Sequence, residues 1–459
     1  MDLKGKKILV VGLGKSGLAA ALFLHRLGAH VTVSDLRNAE ALASQLPMLL
    51  DAGIMVETGG HGLMTFRSQN LIVVSPGVPM DTPELVQAKN LGLPVIGELE
   101  LAAHYLKGKM VAITGSNGKT TTTALTGEIL KAAGIATLVG GNIGIPVTEL
   151  IDQSNDQTWT VLEVSSFQLE STKQFHPQIS VILNITPDHL DRHGTFENYA
   201  LAKERIFAQQ ASTDAVVLNA DNVRAAAAAQ NTVARVYWFS TQHEVDCGAW
   251  VENGKVLFRL HKGEPAETVV ALSEISLKGK HNVENVLAAV CVGRLAEAPV
   301  EAIHSAVTNF HAVEHRLEYV TTINGVEFYN DSKATNVDAT AKAIAAFSSG
   351  IHLILGGKDK NSDYRELSTL LRERVRAVYT LGSAAAKIES QLRGMIPMRS
   401  CETLEKALRA AAAAARPGEV VLLAPACSSF DQFDNYEHRG RAFKQLVGQL
   451  MDGKVWQSA

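Results

Sequence analysis

At 459 residues, 46% of them hydrophobic and 20% charged, the chain exceeds what one hydrophobic core can organise, and a scale of roughly 150 residues per domain points to about three globular domains. A formal net charge of −4 with no basic block gives no reason to expect a nucleic-acid partner. The opening Met1-Asp-Leu-Lys-Gly-Lys-Lys has no signal-peptide core, no apolar run reaches the roughly 18 residues of a membrane span, and Cys247, Cys291, Cys401 and Cys427 lie far apart without a CxxC, so a cytoplasmic protein with reduced thiols and no zinc site is expected.

In chain order, the first strand is Lys7-Ile-Leu-Val-Val11, followed by Gly12-Leu-Gly14-Lys15-Ser16-Gly17, a helical stretch Leu18 to Leu27, and a strand Val31 to Asp35. A GxGxxG turn between strand and helix, with an acidic residue 18 positions after Gly17, is the geometry of a dinucleotide site. A nicotinamide dehydrogenase is therefore one reading. The same turn holds any diphosphate, because a helix N-terminus sees only the anion. Further strands, Asn70 to Ser75 ending in Pro76-Gly77-Val78-Pro79 and a short run Pro94-Val-Ile, extend a parallel sheet whose ligands gather at the carboxyl ends. The Lys-Gly-Lys at 107–109 marks the expected end of this domain.

Next comes Met110-Val-Ala-Ile-Thr114, then Gly115-Ser116-Asn117-Gly118-Lys119-Thr120, then a helical pattern from Thr121. Strand, glycine loop and helix form a phosphate site: backbone N–H groups turn inward, Lys119 supplies a mobile charge and Thr120 a hydroxyl for Mg²⁺. Ile113 stands where the full P-loop pattern has its first glycine, so the loop is a shortened form. Gly140-Gly-Asn142-Ile-Gly144 is a tight loop, and Trp159 to Glu170 is read as a strand whose alternation puts Val161, Glu163 and Ser165 on one face. Glu163 is either a solvent-facing charge or, if its strand neighbours the phosphate-loop strand, a Mg²⁺ ligand. Asp188-His189-Leu-Asp191-Arg192-His193 places two carboxylates and two imidazoles after a buried strand. It is either a metal or acid–base cluster or a polar loop.

Phe196 to Gln210 reads as a helix with Tyr199, Ala202, Ile206 and Phe207 on one stripe and Lys203 beside it. A lysine so placed ordinarily snorkels to water. Asn282 and Asn285 share a face of the helix opened by Gly279, where their amides could read a base edge or cap the helix. The third domain opens with a hairpin, Leu317 to Ile323 and Val326 to Tyr329 around Asn324-Gly325. Later strands at Ile351, Ala377 and Val420 lead into the polar loops Gly356 to Lys360, Gly382, and Pro425 to Asp431. The fold class is α/β with three domains: residues 1–107 Rossmann-like, 108–313 a central P-loop ATPase unit, and 314–459 Rossmann-like again.

The motifs Gly115-Ser-Asn-Gly-Lys-Thr-Thr121, Leu162-Glu-Val-Ser-Ser-Phe-Gln-Leu-Glu170, Asn184-Ile-Thr-Pro-Asp-His-Leu-Asp191, His281-Asn-Val-Glu-Asn285, Glu314-His-Arg-Leu-Glu318, Asn330-Asp-Ser-Lys-Ala-Thr-Asn336 and Pro425-Ala-Cys-Ser-Ser-Phe-Asp-Gln-Phe433 together resemble the Mur ligase family. They stand in family order and span all three domains. The resemblance implies an ATP-dependent, monomeric, cytoplasmic ligase of peptidoglycan synthesis. The GLGKSG turn, Ser75 to Pro79 and the SSFDQF segment imply UDP-N-acetylmuramoyl-L-alanine and D-glutamate as substrates. Another amino-acid-adding member of the family, or a folylpolyglutamate synthase, is the alternative.

By the same resemblance Gly14, Lys15, Ser16, Gly17, Asp35, Arg37, Gly77, Asn142 and Ser165 bind the UDP substrate. ATP falls to Gly115, Ser116, Asn117, Gly118, Lys119, Thr120 and Thr121, with Asn282, Asn285, Arg316, Asp331 and Lys333. Two Mg²⁺ ions are implied, one at Thr120 and Glu163 and one at His189 and a carbamylated Lys203. D-glutamate is assigned Thr335, Lys360, Ser429, Phe430 and Tyr436, and Lys119, His189 and Lys203 serve the chemistry. Leu36, near the expected uracil, and Ala424, before Pro425-Ala-Cys, depart from the family pattern.

Overall fold

The computed structural model describes residues 1–142, 144–277, 279–310 and 314–451; the expected domain limit at 313 and the last residues of the chain lie outside them. The chain divides into two compact units, residues 1–274 with 284–309, and residues 275–283 with 310–459.

The first unit holds two sheets. In the first, β1 (Lys7–Val11), β2 (His30–Asp35), β3 (Met55–Thr58), β4 (Leu71–Val74) and β5 (Val95–Gly97) are all parallel in the order β3-β2-β1-β4-β5. The strand order reverses at β1, so the loops after β1 and β4 splay apart and leave a crevice at the carboxyl edge. β3 is an addition to the sequence reading. It is a short edge strand whose residues are exposed or half-buried, and such a strand carries no apolar run to detect.

The second sheet runs β14-β13-β12-β11-β10-β9-β6-β8-β7, from β6 (Lys109–Thr114), β7 (Thr137–Gly141), β8 (Trp159–Glu163), β9 (Ile179–Ile182), β10 (Ala215–Asn219) and β11 (Arg235–Ser240) to β12 (Gly248–Glu252), β13 (Lys255–Arg259) and β14 (Glu267–Ala271). β8 lies beside β6 with Glu163 opposite Ile113, the neighbourhood on which a metal role for Glu163 depended. The antiparallel β12–β14 edge was not expected. Its turn is Asn253-Gly254, with φ of 50° and 72° between the paired Glu252 and Lys255, the same signal that predicts the Asn324-Gly325 hairpin.

In the second unit β15 (Glu318–Ile323) pairs antiparallel with β16 (Val326–Asn330), and the sheet continues through β20 (Val420–Leu423), β17 (Ile351–Gly356), β18 (Val375–Leu381) and β19 (Met398–Ser400), all parallel. The expected helix from Phe196 to Gln210 is shorter. It is α-helical over Phe196–Glu204 and tightens to a 3₁₀ turn over Arg205–Phe207.

One buried carboxyl couples the first two sheets. Glu98, on the helix Glu98–Ala103, accepts from the Thr148 backbone N–H at 2.8 Å and hydroxyl at 3.0 Å. Burial raises its pKa to about 7 against those hydrogen bonds. The folded state therefore holds this proton more tightly than the unfolded chain, and stability falls as pH rises from about 4.5 to about 7, then levels. Glu98→Gln keeps the acceptor without the charge. Its melting temperature should gain on wild type across that window, by an amount on the order of 3 kcal/mol at pH 8; parallel melting curves from pH 5 to 8 would refute the assignment.

Candidate active site

At the strand-order reversal of the first sheet lies a cavity of about 480 Å³, lined by Gly12 to Ser16, Asp35 to Arg37, His61, Ser75 to Pro79, Thr82, Asn142 and Gln168. Main chain forms part of its lining, at Gly12, Gly14 and Gly77. Ser75 donates its hydroxyl to the Gly12 carbonyl at 2.6 Å, and an added Cβ at Gly17 would collide with that same carbonyl. Gly17 is thus a packing requirement against Gly12, and Gly14 heads the helix Lys15–Arg26. Asp35 is committed within its own loop: it accepts from the Leu13 N–H at 2.6 Å and from Arg37 Nε and Nη2 at 3.0 and 2.8 Å. Burial opposes its charge, but those bonds outweigh it and hold the carboxyl at about 2. A carboxylate so occupied is a poor ribose partner, which removes the main support for a nicotinamide site.

Of the residues assigned to the UDP substrate, Gly14, Lys15, Ser16, Asp35, Arg37, Gly77 and Asn142 line this cavity. Ser165 does not; it caps the helix Ser166–Leu169 in a capping box with Gln168, and Gln168 reaches the cavity instead. Gln168 and His61 were missed, since neither follows a strand in the phosphate-loop manner. Leu36 lines the cavity and is exposed.

In the second sheet the phosphate loop is laced to the segment after β9. Asn117 N–H donates to Asn184 Oδ1 at 2.9 Å, Asn184 Nδ2 donates to Asn117 O at 3.1 Å, and Ser116 N–H donates to Asn184 O at 3.0 Å. The Ser116 hydroxyl lies 3.0 Å from the Tyr199 hydroxyl. Asn184 and Tyr199 therefore shape a loop they do not belong to, a role the sequence reading did not assign. Gly118 takes φ of 89°, and a Cβ there would strike Asn285 Oδ1, which also accepts from Thr122 Oγ1 at 3.3 Å. Asn285 thus stands against the loop. Thr120 and Thr121 open the helix Lys119–Ala132.

Two lysines converge on one carbonyl. Lys119 Nζ donates to Gly115 O at 2.9 Å and to Ser116 O at 3.2 Å, and Lys203 Nζ donates to the same Gly115 O at 2.9 Å. Lys203 is 1% exposed, so the snorkelling expectation is wrong: the side chain lies over the ring of Tyr199, one helical turn earlier, at 4.6 Å, and its ammonium is held inward by the Gly115 carbonyl. Burial, and then the charge of Lys119, push its pKa well down, with Asp188 and Glu163 opposing. Glu163 is buried and accepts from Asn142 Nδ2 at 3.0 Å. His189 Nε2 lies 3.6 Å from Asp188 Oδ2. Among the described residues no group of three or more His, Cys, Asp or Glu side chains could hold a metal, so a cation here requires hydroxyl, carbamate, water or phosphate oxygens as well.

The second unit gathers its own set. Asp331 is buried, which raises its pKa to about 6 against the charge of Arg316. Lys333 Nζ sits 3.8 Å from the centre of the Tyr436 ring, and the Thr335 N–H donates to Lys333 O at 2.8 Å. The Lys358 to Lys360 loop meets the Pro425 to Ser429 loop through paired Lys358 and Ser428 backbone bonds of 2.9 and 3.1 Å. Ser429 is buried and Phe430 exposed. Asn282 lies in this unit, at the start of the helix Lys280–Leu295. Arg439, unassigned from sequence, is buried and joins the segment after β16 to the Pro425 to Ser429 loop: it donates to Ser332 O at 2.8 Å and to Cys427 O at 3.1 Å.

The comparisons with known proteins agree with these parts. Family models described as Mur ligase MurD-like N-terminal domain, Mur ligase middle domain, and Mur ligase glutamate ligase domain match residues 6–97, 113–293 and 315–427. A UDP-N-acetylmuramoylalanine–D-glutamate ligase of Acidobacterium capsulatum is 64% identical over the whole of both chains. One of Koribacter versatilis is 58% identical, covering 98% of this chain and 99% of its own. Among solved structures, the UDP-N-acetylmuramate-alanine ligase MurC of Thermotoga maritima shares the fold at a TM-score of 0.61 and 20% identity, over 98% of this chain and all of that one. With three consecutive family domains matched along most of its length, the chain belongs to the Mur ligase family.

Proposed function

We propose that the protein is an ATP-dependent ligase that joins D-glutamate to UDP-N-acetylmuramoyl-L-alanine in the cytoplasmic assembly of peptidoglycan precursors. The observation that carries this reading is the phosphate loop with Lys119 and the buried pair Lys203 and Glu163 at its mouth, in a chain whose 64% and 58% identical relatives bear that ligase's name. The cavity of the first sheet, with Gly12, Gly14, Gly77, Lys15 and Arg37 in its lining, suits a uridine diphosphate. Lys119, Thr120 and Asn285, with Asn282, Arg316, Asp331 and Lys333, are assigned to ATP, and Thr335, Lys360, Ser429, Phe430 and Tyr436 to D-glutamate.

The chemistry asks two anions to meet. The L-alanyl carboxylate attacks the γ-phosphorus, ADP leaves, and an acyl phosphate forms; the D-glutamate amine then attacks the acyl carbon, losing a proton as inorganic phosphate departs. Lys119 supplies positive charge where the transferring group accumulates negative charge, and positioning with electrostatics is sufficient for such a step. Hard oxygen donors suit Mg²⁺. The Thr120 hydroxyl and the buried Glu163 carboxylate would hold one ion, and His189 with a carbamylated Lys203 a second. Bound Mg²⁺ supplies further neutralisation of the phosphate charge. Carbamylation is chemically open to Lys203 because its burial beside Lys119 favours the neutral amine. The amine attacks CO₂, an N–C bond forms and one proton leaves, giving an anionic ligand.

Purified protein with ATP, Mg²⁺ and UDP-N-acetylmuramoyl-L-alanine should release phosphate when D-glutamate is added, at least about tenfold faster than with L-glutamate, L-alanine or diaminopimelate. Release driven best by another amino acid would assign the protein to a different member of the family, and NAD(H) should leave the melting temperature unchanged.

A further inference from the structure

The loop that carries His189 is bolted to the wall of the first-sheet cavity by a side chain that neither assignment uses. His189 takes φ of 52° and begins the single turn Leu190–His193, whose Arg192 N–H donates back to His189 O at 3.1 Å. The Arg192 guanidinium then points away from the phosphate loop. Its Nη2 donates to Val78 O at 3.1 Å and to Glu170 Oε2 at 3.1 Å, and Val78 lines the cavity. Glu170 in turn presents its other oxygen to His193 Nδ1 at 3.1 Å, and His193 Nε2 lies 3.0 Å from Ser166 Oγ. Phe167 closes the set. Its ring carries the guanidinium at 4.9 Å, stacks on His193 at 5.5 Å and meets His189 edge-on at 4.9 Å.

We propose that Arg192 is a positioning residue that ties the Ser75 to Pro79 wall of the UDP-substrate cavity to the placement of His189, so that seating the UDP substrate and organising the phosphoryl-transfer loop are one event. This rests on the functional reading above for the identities of the two sites. The physical case is one of geometry. A half-buried ion pair stabilises a fold little, because desolvation offsets the attraction, whereas a planar guanidinium laid on the Phe167 ring holds its Nη2, and the two acceptors that share it, in a fixed place. Here those acceptors are a carbonyl from the first sheet and a carboxylate from the second. Only one helical turn separates the guanidinium from His189, so a shift of the Val78 carbonyl moves the imidazole with little slack.

The test uses Arg192→Met, Arg192→Lys and His189→Ala in the full chain. Arg192→Met should weaken UDP-N-acetylmuramoyl-L-alanine binding about tenfold by calorimetry and lower kcat about tenfold, with KM for ATP changed less than threefold. Arg192→Lys keeps a charge but not the planar group on the Phe167 ring and should recover only part of both losses. Because Arg192 is argued to act through His189, its effect on kcat should vanish in a His189→Ala background while its effect on UDP-substrate affinity persists. Equal kcat effects in both backgrounds, unchanged UDP-substrate affinity, or uniform loss for every substrate would overturn the proposal. If Arg192→Met does not fold, Arg192→Lys carries the same comparisons. Wild-type protein without D-glutamate-dependent phosphate release would instead overturn the functional reading and leave the calorimetric comparison standing.

Discussion

Lys119→Ala abolishes ADP formation, by at least about 10³-fold, and leaves the affinity for UDP-N-acetylmuramoyl-L-alanine within about threefold of wild type. The first half follows from charge. Removing the ammonium that faces the transferring phosphoryl group forfeits roughly 4 kcal/mol of transition-state stabilisation, the scale of a lost electrostatic contact in a preorganised site. The second half follows from topology, since Lys119 belongs to the second sheet and does not line the first-sheet cavity, and effects at sites without shared partners are close to additive. Alanine is also tolerated at the first turn of a helix, so folding should survive. A coupled ADP assay and titration calorimetry on one preparation decide the matter: loss of UDP-substrate affinity in a folded Lys119→Ala protein would show that the two sites had been wrongly divided.

Lys203→Ala and Lys203→Arg should each lower kcat by more than about 100-fold. On the proposed reading alanine removes a carbamate ligand, and arginine, which cannot be carbamylated, places a cation beside Lys119 instead of an anion. A small carboxylic acid in solution should restore part of the activity to Lys203→Ala and none to Lys203→Arg, because only the first leaves room for a substitute oxygen ligand. CO₂ depletion should slow the wild type and spare the rescued variant. Either variant remaining within about tenfold of wild type, a difference of only about 1.4 kcal/mol, would exclude a carbamylated ligand at this position.

What the sequence disclosed depended on how local the signal was. The parallel strands, the two glycine turns and the Asn324-Gly325 hairpin are written in consecutive residues, and they appear where expected. Lys203 is the opposite case. Helical periodicity placed it at the edge of an apolar stripe, and the partner that draws it inward, the Gly115 carbonyl, lies 88 residues away in sequence. Asn184, Gln168 and Arg439 serve loops far from them in sequence, which no spacing rule addresses. The β12–β14 edge was legible in principle through Asn253-Gly254, but its strands are short and half-exposed, so the turn was the sole strong cue.

The glycines that line the first-sheet cavity also bear on how this protein can change over generations. Carbonyl and N–H groups are common to every residue, so the surface assigned to the diphosphate is indifferent to most side-chain replacements, apart from positions such as Gly17 where any added carbon collides. Leu36, His61 and Thr82 line the same cavity and carry side chains. Substitution there can retune which base or sugar is accepted without disturbing the anion site, and the departure at Leu36 is the kind of drift such a division of labour permits.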